Sequence, residues 1–178
     1  GTGTGRILEL LAGRTDHAQG VDLSREMLAV ARANLDSAGL SHCQVRQADI
    51  TQLPFPAETF DLVTLHQVLH YLDDPVRAIE AATAMVRPGG TLLIVDFAPH
   101  EEETLRRDHQ HRRLGFSDTQ AEAWLKSAGL TPRTIRHLSG DPLTVTLWSA
   151  VKTPAATNTD AAPVLTKPAV GRTLENTV

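Results

Sequence analysis

The glycines at the start of the chain constrain its fold more than any other feature. Residues 1–5 read GTGTG, and the helix-forming run RILELLA follows at 6–12. Glycine has no Cβ and tolerates positive φ, so this backbone can turn sharply and lie directly against a ligand. In open α/β sheets, a glycine loop that leads into a helix binds nucleotide-like ligands. Taken alone, the five residues fit an ordinary turn equally well.

The spacing of the glycines narrows the class of ligand. The dinucleotide fingerprint G-x-G-x-x-G needs a glycine at position 6, but this chain has Arg6 there and its third glycine, Gly5, comes one residue early. In dinucleotide sites the start of the helix contacts a pyrophosphate. A G-x-G-x-G turn instead suits a ligand without phosphate, such as S-adenosylmethionine, and this makes a nicotinamide-dependent reductase the least favoured alternative.

Two acidic residues follow at positions that suit an adenosine-type ligand. Asp22 ends a short apolar stretch downstream of the glycines, where a carboxylate at a strand tip can accept both ribose hydroxyls. The alternative is that Asp22 caps the next helix, although Ser24 is the better candidate for that cap. Asp49 follows a second short strand-like run and is placed to accept the adenine amino group.

The rest of the chain alternates helical and strand-like segments, which predicts an α/β fold with a mainly parallel sheet. The patterns predict helices over 24–39, 74–86, 101–114 and 117–128, and strands over 60–65, 91–97, 134–138 and 143–151. The last two strands are predicted to form an antiparallel edge pair. Residues 153–178 are rich in Thr, Ala and Pro and contain no aromatic residue, so we predict a domain over 1–152 and a disordered tail over 153–178.

The ordered set of motifs resembles the class I S-adenosylmethionine-dependent methyltransferases. The resemblance covers residues 1 to about 152 and rests on GTGTG at 1–5, GVDLSREML at 20–28, QAD at 47–49, LPFP at 53–56, FDLV at 60–63 and VRPGGTL at 86–92. It is strongest toward the quinone C-methyltransferases and the methyltransferase domains found behind ArsR-type repressor domains. It implies a Rossmann-like three-layer α/β/α sandwich.

The resemblance also implies which residues hold the cofactor S-adenosylmethionine. The glycine loop would face the methionine part, Asp22 the ribose, and Ala48 with Asp49 the adenine. The full predicted set of cofactor-binding residues is Gly1, Thr2, Gly3, Gly5, Asp22, Leu23, Met27, Ala48, Asp49, Ile50 and His66.

One part of the family pattern is missing. The apolar first strand that precedes the glycine loop, with the acid that ends it, does not occur in this sequence. In the family that strand lies in the middle of the sheet, and buried unpaired backbone amides cost about 1–3 kcal/mol each. We therefore expect the chain to be a fragment of a longer parent and to bind the cofactor poorly.

The histidines carry the predicted chemistry of the acceptor side. His66 follows the strand at 60–65 and His70 comes four residues later. If residues 67–72 are helical, both imidazoles share one face, and either can accept a proton from the acceptor. The alternative is that both histidines only shape the pocket by hydrogen bonding.

A second group of polar residues invites a metal-site interpretation, because imidazole and carboxylate suit zinc or iron. The group consists of His100, Asp108, His109 and His111. On a helix, His109 and His111 would point about 200° apart, so no metal site is predicted. A lid or acceptor-pocket role and a solvated helical face stay open.

Composition sets the remaining expectations. The net charge is −4 and no basic run occurs, which disfavours direct binding of nucleic acid. Cys43 is the only cysteine, which excludes an intrachain disulfide. No long apolar run or signal peptide is present, so a cytoplasmic location without membrane contact is expected.

The predicted function is methyl transfer to a small-molecule acceptor. The alternative is a non-catalytic domain that senses S-adenosylmethionine or another effector for a transcriptional regulator. In that alternative the partner is an N-terminal DNA-binding domain of the parent protein.

Overall fold

A computed structural model of the chain describes residues 1–154. Most of the tail predicted over 153–178 therefore lies outside the described residues, and the division into domain and tail stays a prediction. Within residues 1–154 the chain alternates helices and strands, as the sequence patterns indicate.

The first half of the fold consists of two short helix–strand units. Helix α1 (Arg6–Leu11) is followed by a single 3₁₀ turn, strand β1 (Ala18–Asp22), helix α2 (Arg25–Ser37) and strand β2 (Cys43–Gln47). Helix α2 begins where Ser24 accepts a hydrogen bond from the Met27 N–H through its hydroxyl, as expected of a serine N-cap. β1 and β2 pair in parallel, with Gly20 opposite Val45.

The second half contains four strands and three helices. In chain order these are β3 (Phe60–His66), α3 (Pro75–Met85), β4 (Val86–Phe97), α4 (Thr104–Asp108), α5 (Asp118–Ser127), β5 (Leu130–Leu138) and β6 (Val145–Lys152). The strands form one sheet in the order β3-β4-β6-β5. β3 and β4 run parallel, whereas β6 is antiparallel to both of its neighbours, which confirms the predicted antiparallel pair at the edge.

The two sheets do not pair with each other within residues 1–154. β1 and β3 each form a ladder on one side only. The glycine loop lies between their carboxyl ends. The Thr2 N–H donates to the Val21 carbonyl at 2.8 Å, and a Cβ placed on Gly1 would come within 2.7 Å of Val68 Cγ2. The start of the chain is thus fixed in position by contacts with both sheets.

The main core lies between the second sheet and helices α3 and α5. Alternate residues of β4 and β6 face these helices, including Leu92, Ile94, Trp148 and Ala150, all of which are buried. A smaller core under α1 and α2 contains Cys43. Cys43 is buried there, and this burial raises the pKa of its thiol.

Two segments are less helical than the sequence analysis considered, residues 67–72 conditionally and residues 101–114 as a prediction. Residues 67–72 contain only a 3₁₀ turn over Leu69–Tyr71, because Gln67 takes a left-handed φ of 47° that ends β3 with a reversal. Of the helix predicted over 101–114, only Thr104–Asp108 is helical. The rest is irregular, and Gln110 with φ 57° and Gly115 with φ 81° mark turns that no continuous helix allows.

Candidate active site

Hydrogen bonds within the glycine loop and to its neighbours hold the loop in place. Thr2 bonds β1 as described, Gly5 N–H donates to the Thr2 carbonyl at 3.0 Å, and Asn34 Nδ2 donates to the Thr4 carbonyl at 3.0 Å. Gly5 has φ 84° and lies against Ala31 of α2, where an added Cβ would sit 3.3 Å from the Ala31 Cβ. The left-handed backbone therefore favours glycine at this position, and the close approach of Ala31 leaves little room for a side chain.

Asp22 ties this loop to the start of α2. Its Oδ2 accepts the Gly3 N–H at 2.8 Å and its Oδ1 accepts the Ser24 N–H at 3.0 Å. Asp22 therefore contacts the glycine loop directly, a contact that the sequence analysis did not predict. A carboxylate has about four lone-pair positions, so each oxygen retains one position that can accept a ribose hydroxyl.

Apolar side chains surround Asp22 on the solvent side. Leu23 is 60% exposed and Met27 is 46% exposed. Large apolar side chains exposed next to a carboxylate fit a ligand that has both a polar group and an apolar face. Both residues were predicted to contact the cofactor.

The end of β2 comes close to Asp22. The Ala48 N–H donates to the Asp22 carbonyl at 3.1 Å, so the predicted ribose and adenine residues are neighbours. Asp49 Oδ1 accepts the Thr51 N–H at 2.7 Å and its hydroxyl at 2.8 Å. These bonds hold the pKa of Asp49 below its usual value, and the exposed carboxylate stays charged. The side chain of Ile50 is instead buried in the main core, which leaves only its backbone for a ligand.

His66 and His70 do not share a face, because the condition for it, a helix over residues 67–72, is not met. His66 is the last residue of β3 and points to the sheet face opposite α3 and α5. There it lines an apolar groove of about 570 Å³ with Gln67, Val95, Val145 and Leu147. Burial lowers the pKa of His66, and the Asp96 carboxylate opposes that shift only in part.

His70 is buried on the other face, next to an acid that sequence reasoning missed. His70 Nδ1 lies 2.6 Å from Asp96 Oδ1, and the two side chains are 2% and 0% exposed. The Leu69 and Phe97 N–H groups also donate to the Asp96 carboxylate, at 3.0 and 2.9 Å. The available signal was a lone acid in the apolar run LLIVDF, since a charge in a buried strand needs a partner.

Imidazole rings from the following segment cover His70. The His111 ring lies 4.1 Å from the His70 ring, and His100 packs edge-on against Phe97 at 6.0 Å. Burial lowers the pKa of both His100 and His111, with additional repulsion from neighbouring histidines. His109 is exposed. Among residues 1–154, no three His, Cys, Asp or Glu side chains are arranged to hold a metal ion.

The family model for the methyltransferase domain matches residues 1–94. The chain is 37% identical over 97 residues to a phosphatidylethanolamine N-methyltransferase of Cereibacter sphaeroides. The alignment covers 54% of this chain and 47% of that protein. The chain is 28% identical over 160 residues to the ubiquinone biosynthesis O-methyltransferase of Stutzerimonas stutzeri. That alignment covers 81% of this chain and 68% of the relative. The fold superposes on the YcgJ protein of Bacillus subtilis with a TM-score of 0.76 at 18% identity, covering 87% of this chain and 90% of that one.

These matches, with the glycine loop and Asp22 geometry, establish that the chain belongs to the class I S-adenosylmethionine-dependent methyltransferase family. The predicted Rossmann-like α/β fold and the predicted cofactor are thereby confirmed. The chain spans about half the length of the first relative named above. No helix within residues 1–154 has the length and apolar character needed to cross a bilayer.

Proposed function

We propose that this domain transfers a methyl group from S-adenosylmethionine to a small-molecule acceptor. The observation that carries the proposal is the pairing of Asp22 with the glycine loop, in which one carboxylate orients Gly3 and still has lone pairs free. The exposed Leu23 and Met27 beside it supply an apolar rim. The residues present therefore fit the cofactor.

The roles divide along the site. The glycine loop, from Gly1 to Gly5, would hold the methionine part, Asp22 the ribose hydroxyls, and Ala48 with Asp49 the adenine edge. The cofactor supplies an electrophilic methyl group on a sulfonium sulfur. The acceptor would lie near the segment from His66 to Tyr71, because Val68 of that segment packs against Gly1.

His66 and His70 are the proposed bases on the acceptor side, on opposite faces of the sheet. Burial keeps His66 neutral to lower pH than an ordinary histidine because its pKa is lowered, and a neutral imidazole can accept a proton. The names of the relatives do not identify the atom of the acceptor that is methylated, because the relatives include both N- and O-methyltransferases. The alternative of an effector sensor attached to a DNA-binding domain gains no support from the comparisons.

Calorimetric titration of the full chain with S-adenosylhomocysteine tests the cofactor site. A hydrogen bond to a charged group contributes about 1.5–3 kcal/mol, so Asp22→Ala should weaken binding by about 10- to 100-fold. Asp36→Ala is the matched control, because Asp36 is an exposed acid on the far end of α2, and it should bind like the unmodified chain. Equal affinity of Asp22→Ala and the unmodified chain for S-adenosylhomocysteine would reject the proposal.

A further inference from the structure

The apolar groove that His66 lines lies between α1 and the second sheet. Its wall consists of Ile7, Leu10 and Leu11 of α1, and its floor consists of the carboxyl-terminal half of β3 and β4 with the facing part of β6. Because α1 directly follows the glycine loop, the groove begins beside the proposed cofactor site. Its volume of about 570 Å³ is within the usual range of small-molecule sites.

The polar side chains of the groove gather at the end of β3. Of the described residues that line it, most are Leu, Ile or Val and none is Asp, Glu, Lys or Arg. Thr64, His66 and Gln67 supply polar groups at the end of β3, and Ser139 supplies another from the connection between β5 and β6. A charged ligand would lose its water here without gaining a partner of opposite charge, which is costly. The lining therefore favours an uncharged ligand.

The backbone at Gln67 places two polar side chains in the groove. Successive residues of a strand point to opposite faces of the sheet, yet His66 and Gln67 both line this groove. The left-handed φ of 47° at Gln67 ends the strand and makes this possible. The Gln67 N–H donates to the Val95 carbonyl at 2.7 Å and holds the turn. A left-handed backbone is unfavourable for a residue with a side chain, and such strain is concentrated at functional sites.

The apolar lining remains open to water. Val95 on the floor is partly exposed, whereas Ile94, on the opposite face of the sheet, is buried. At the edges of the groove, Leu10 is 58% exposed and Leu138 is 56% exposed. Removing such apolar surface from water is favourable, so a hydrocarbon ligand gains affinity along the whole groove.

We infer that this groove binds an uncharged, largely hydrocarbon molecule whose one hydroxyl group lies at His66 and Gln67. The inference rests on the proposed function, since it takes this molecule to be the methyl acceptor. The imidazole and the amide can each donate or accept a hydrogen bond, so the hydroxyl finds a partner for its proton and another for its oxygen. Burial lowers the pKa of His66, which keeps the ring uncharged beside such a ligand.

Three eight-carbon compounds that differ only in the head group test the ligand class. They are 1-octanol, octanoate and octylammonium, titrated into the full chain and followed by ¹H–¹⁵N NMR. 1-Octanol should shift the amide signals of residues 64–67, 93–95 and 145–147 and should bind at least about 10-fold more tightly than either ion, because the ions lose hydration in the groove. Equal affinities for the three compounds, or shifts outside the groove, would overturn the inference.

Exposed leucines at the edges of the groove provide variants that keep the fold. Leu10→Gln and Leu138→Gln should each weaken 1-octanol binding by about 3- to 10-fold, since each removes apolar contact with the ligand. Leu62→Gln is the matched control. Leu62 is 40% exposed on the same face of β3 but does not line the groove, so this variant should bind 1-octanol like the unmodified chain.

Gln67→Gly separates the polar contact from the fold. Glycine accepts the left-handed backbone, so the variant should unfold at the same urea concentration as the unmodified chain or at a higher one. Loss of the amide should nevertheless weaken 1-octanol binding by about 2- to 10-fold, the range of one hydrogen bond. Unchanged 1-octanol affinity in Gln67→Gly would overturn the placement of the hydroxyl group.

An acceptor must bind together with the cofactor. 1-Octanol should therefore keep its affinity when S-adenosylhomocysteine is present in excess. Mutual exclusion of the two compounds, or equal losses in Leu10→Gln and Leu62→Gln, would overturn the inference. So would shifts of the groove signals when the chain alone is concentrated, because a second copy would then fill the groove. The comparison of Asp22→Ala with the unmodified chain tests the proposed function separately from all these results.

Discussion

The carboxyl ends of the two parallel strand pairs hold acids of opposite character. At β1 and β2, Asp22 and Asp49 are reached by solvent and bond backbone N–H groups of nearby loops. At β3 and β4, Asp96 is fully buried and bonds a buried imidazole. The same side chain thus serves two purposes. An accessible carboxylate is available to a ligand, whereas a buried carboxylate must be held by hydrogen bonds because leaving it unpaired is costly.

Removal of Asp96 should have the largest effect on stability. Asp96→Ala leaves the Leu69 and Phe97 N–H groups and the His70 ring without their partner. Removing one member of a buried pair costs about 3–5 kcal/mol, and urea unfolding of the full chain should show a loss of this size. Asp22→Ala should cost about 1 kcal/mol or less, since water replaces the lost partner there. Similar losses in the two variants would erase the distinction between the regions.

Adding a single methyl group to the glycine loop should have the next largest effect on stability. Gly5→Ala forces a side chain into a left-handed conformation and against Ala31, which should lower stability by about 1–2 kcal/mol and weaken binding of S-adenosylhomocysteine. Gly13→Ala provides the control, because it has open space and no positive φ, and it should be neutral or stabilise by up to about 1 kcal/mol. Thermal melts and calorimetry of the two variants would separate them. Equal stability and equal affinity of the two variants would show that the glycine loop accommodates a side chain at Gly5.

The smallest expected effect is a pH dependence from the histidines over His70. Folding lowers the pKa of His111 and His100 through burial, so below the ordinary histidine pKa of about 6.5 the unfolded chain binds protons that the folded chain does not. Stability should be full above that pH and should fall as the pH drops toward the lowered values.

The variant His111→Gln isolates this contribution. Urea midpoints measured from pH 7.5 down to about 5 should fall less steeply in His111→Gln than in the unmodified chain. His17→Gln, at an exposed position before β1, should leave the slope unchanged. An identical slope in His111→Gln would show that His111 does not differ between the folded and unfolded states in the way its burial indicates.

Local patterns predicted the cofactor side well. The serine cap at Ser24, the strand ending at Asp22 and the turn at the glycines are set by residues close together in the sequence, and the structure places them as expected. The helix predicted over 101–114 is mostly absent, and the helix considered over 67–72 does not form, for a physical reason. The His70 carbonyl and the Asp96 carboxylate accept N–H groups from distant segments, and these long-range bonds outweigh weak local helix preference.

The sequence by itself determined the α/β class and the methyltransferase family, and it located the acids and glycines that we propose to face the cofactor, because each depends on spacing within one strand–turn–helix unit. Only the tertiary structure decided that His66 and His70 lie on opposite faces of the sheet and that Asp96, 26 residues from His70, is its partner. Those facts depend on strand register and on burial. Burial removes water as an alternative hydrogen-bond partner, so it determines which polar groups must find one another.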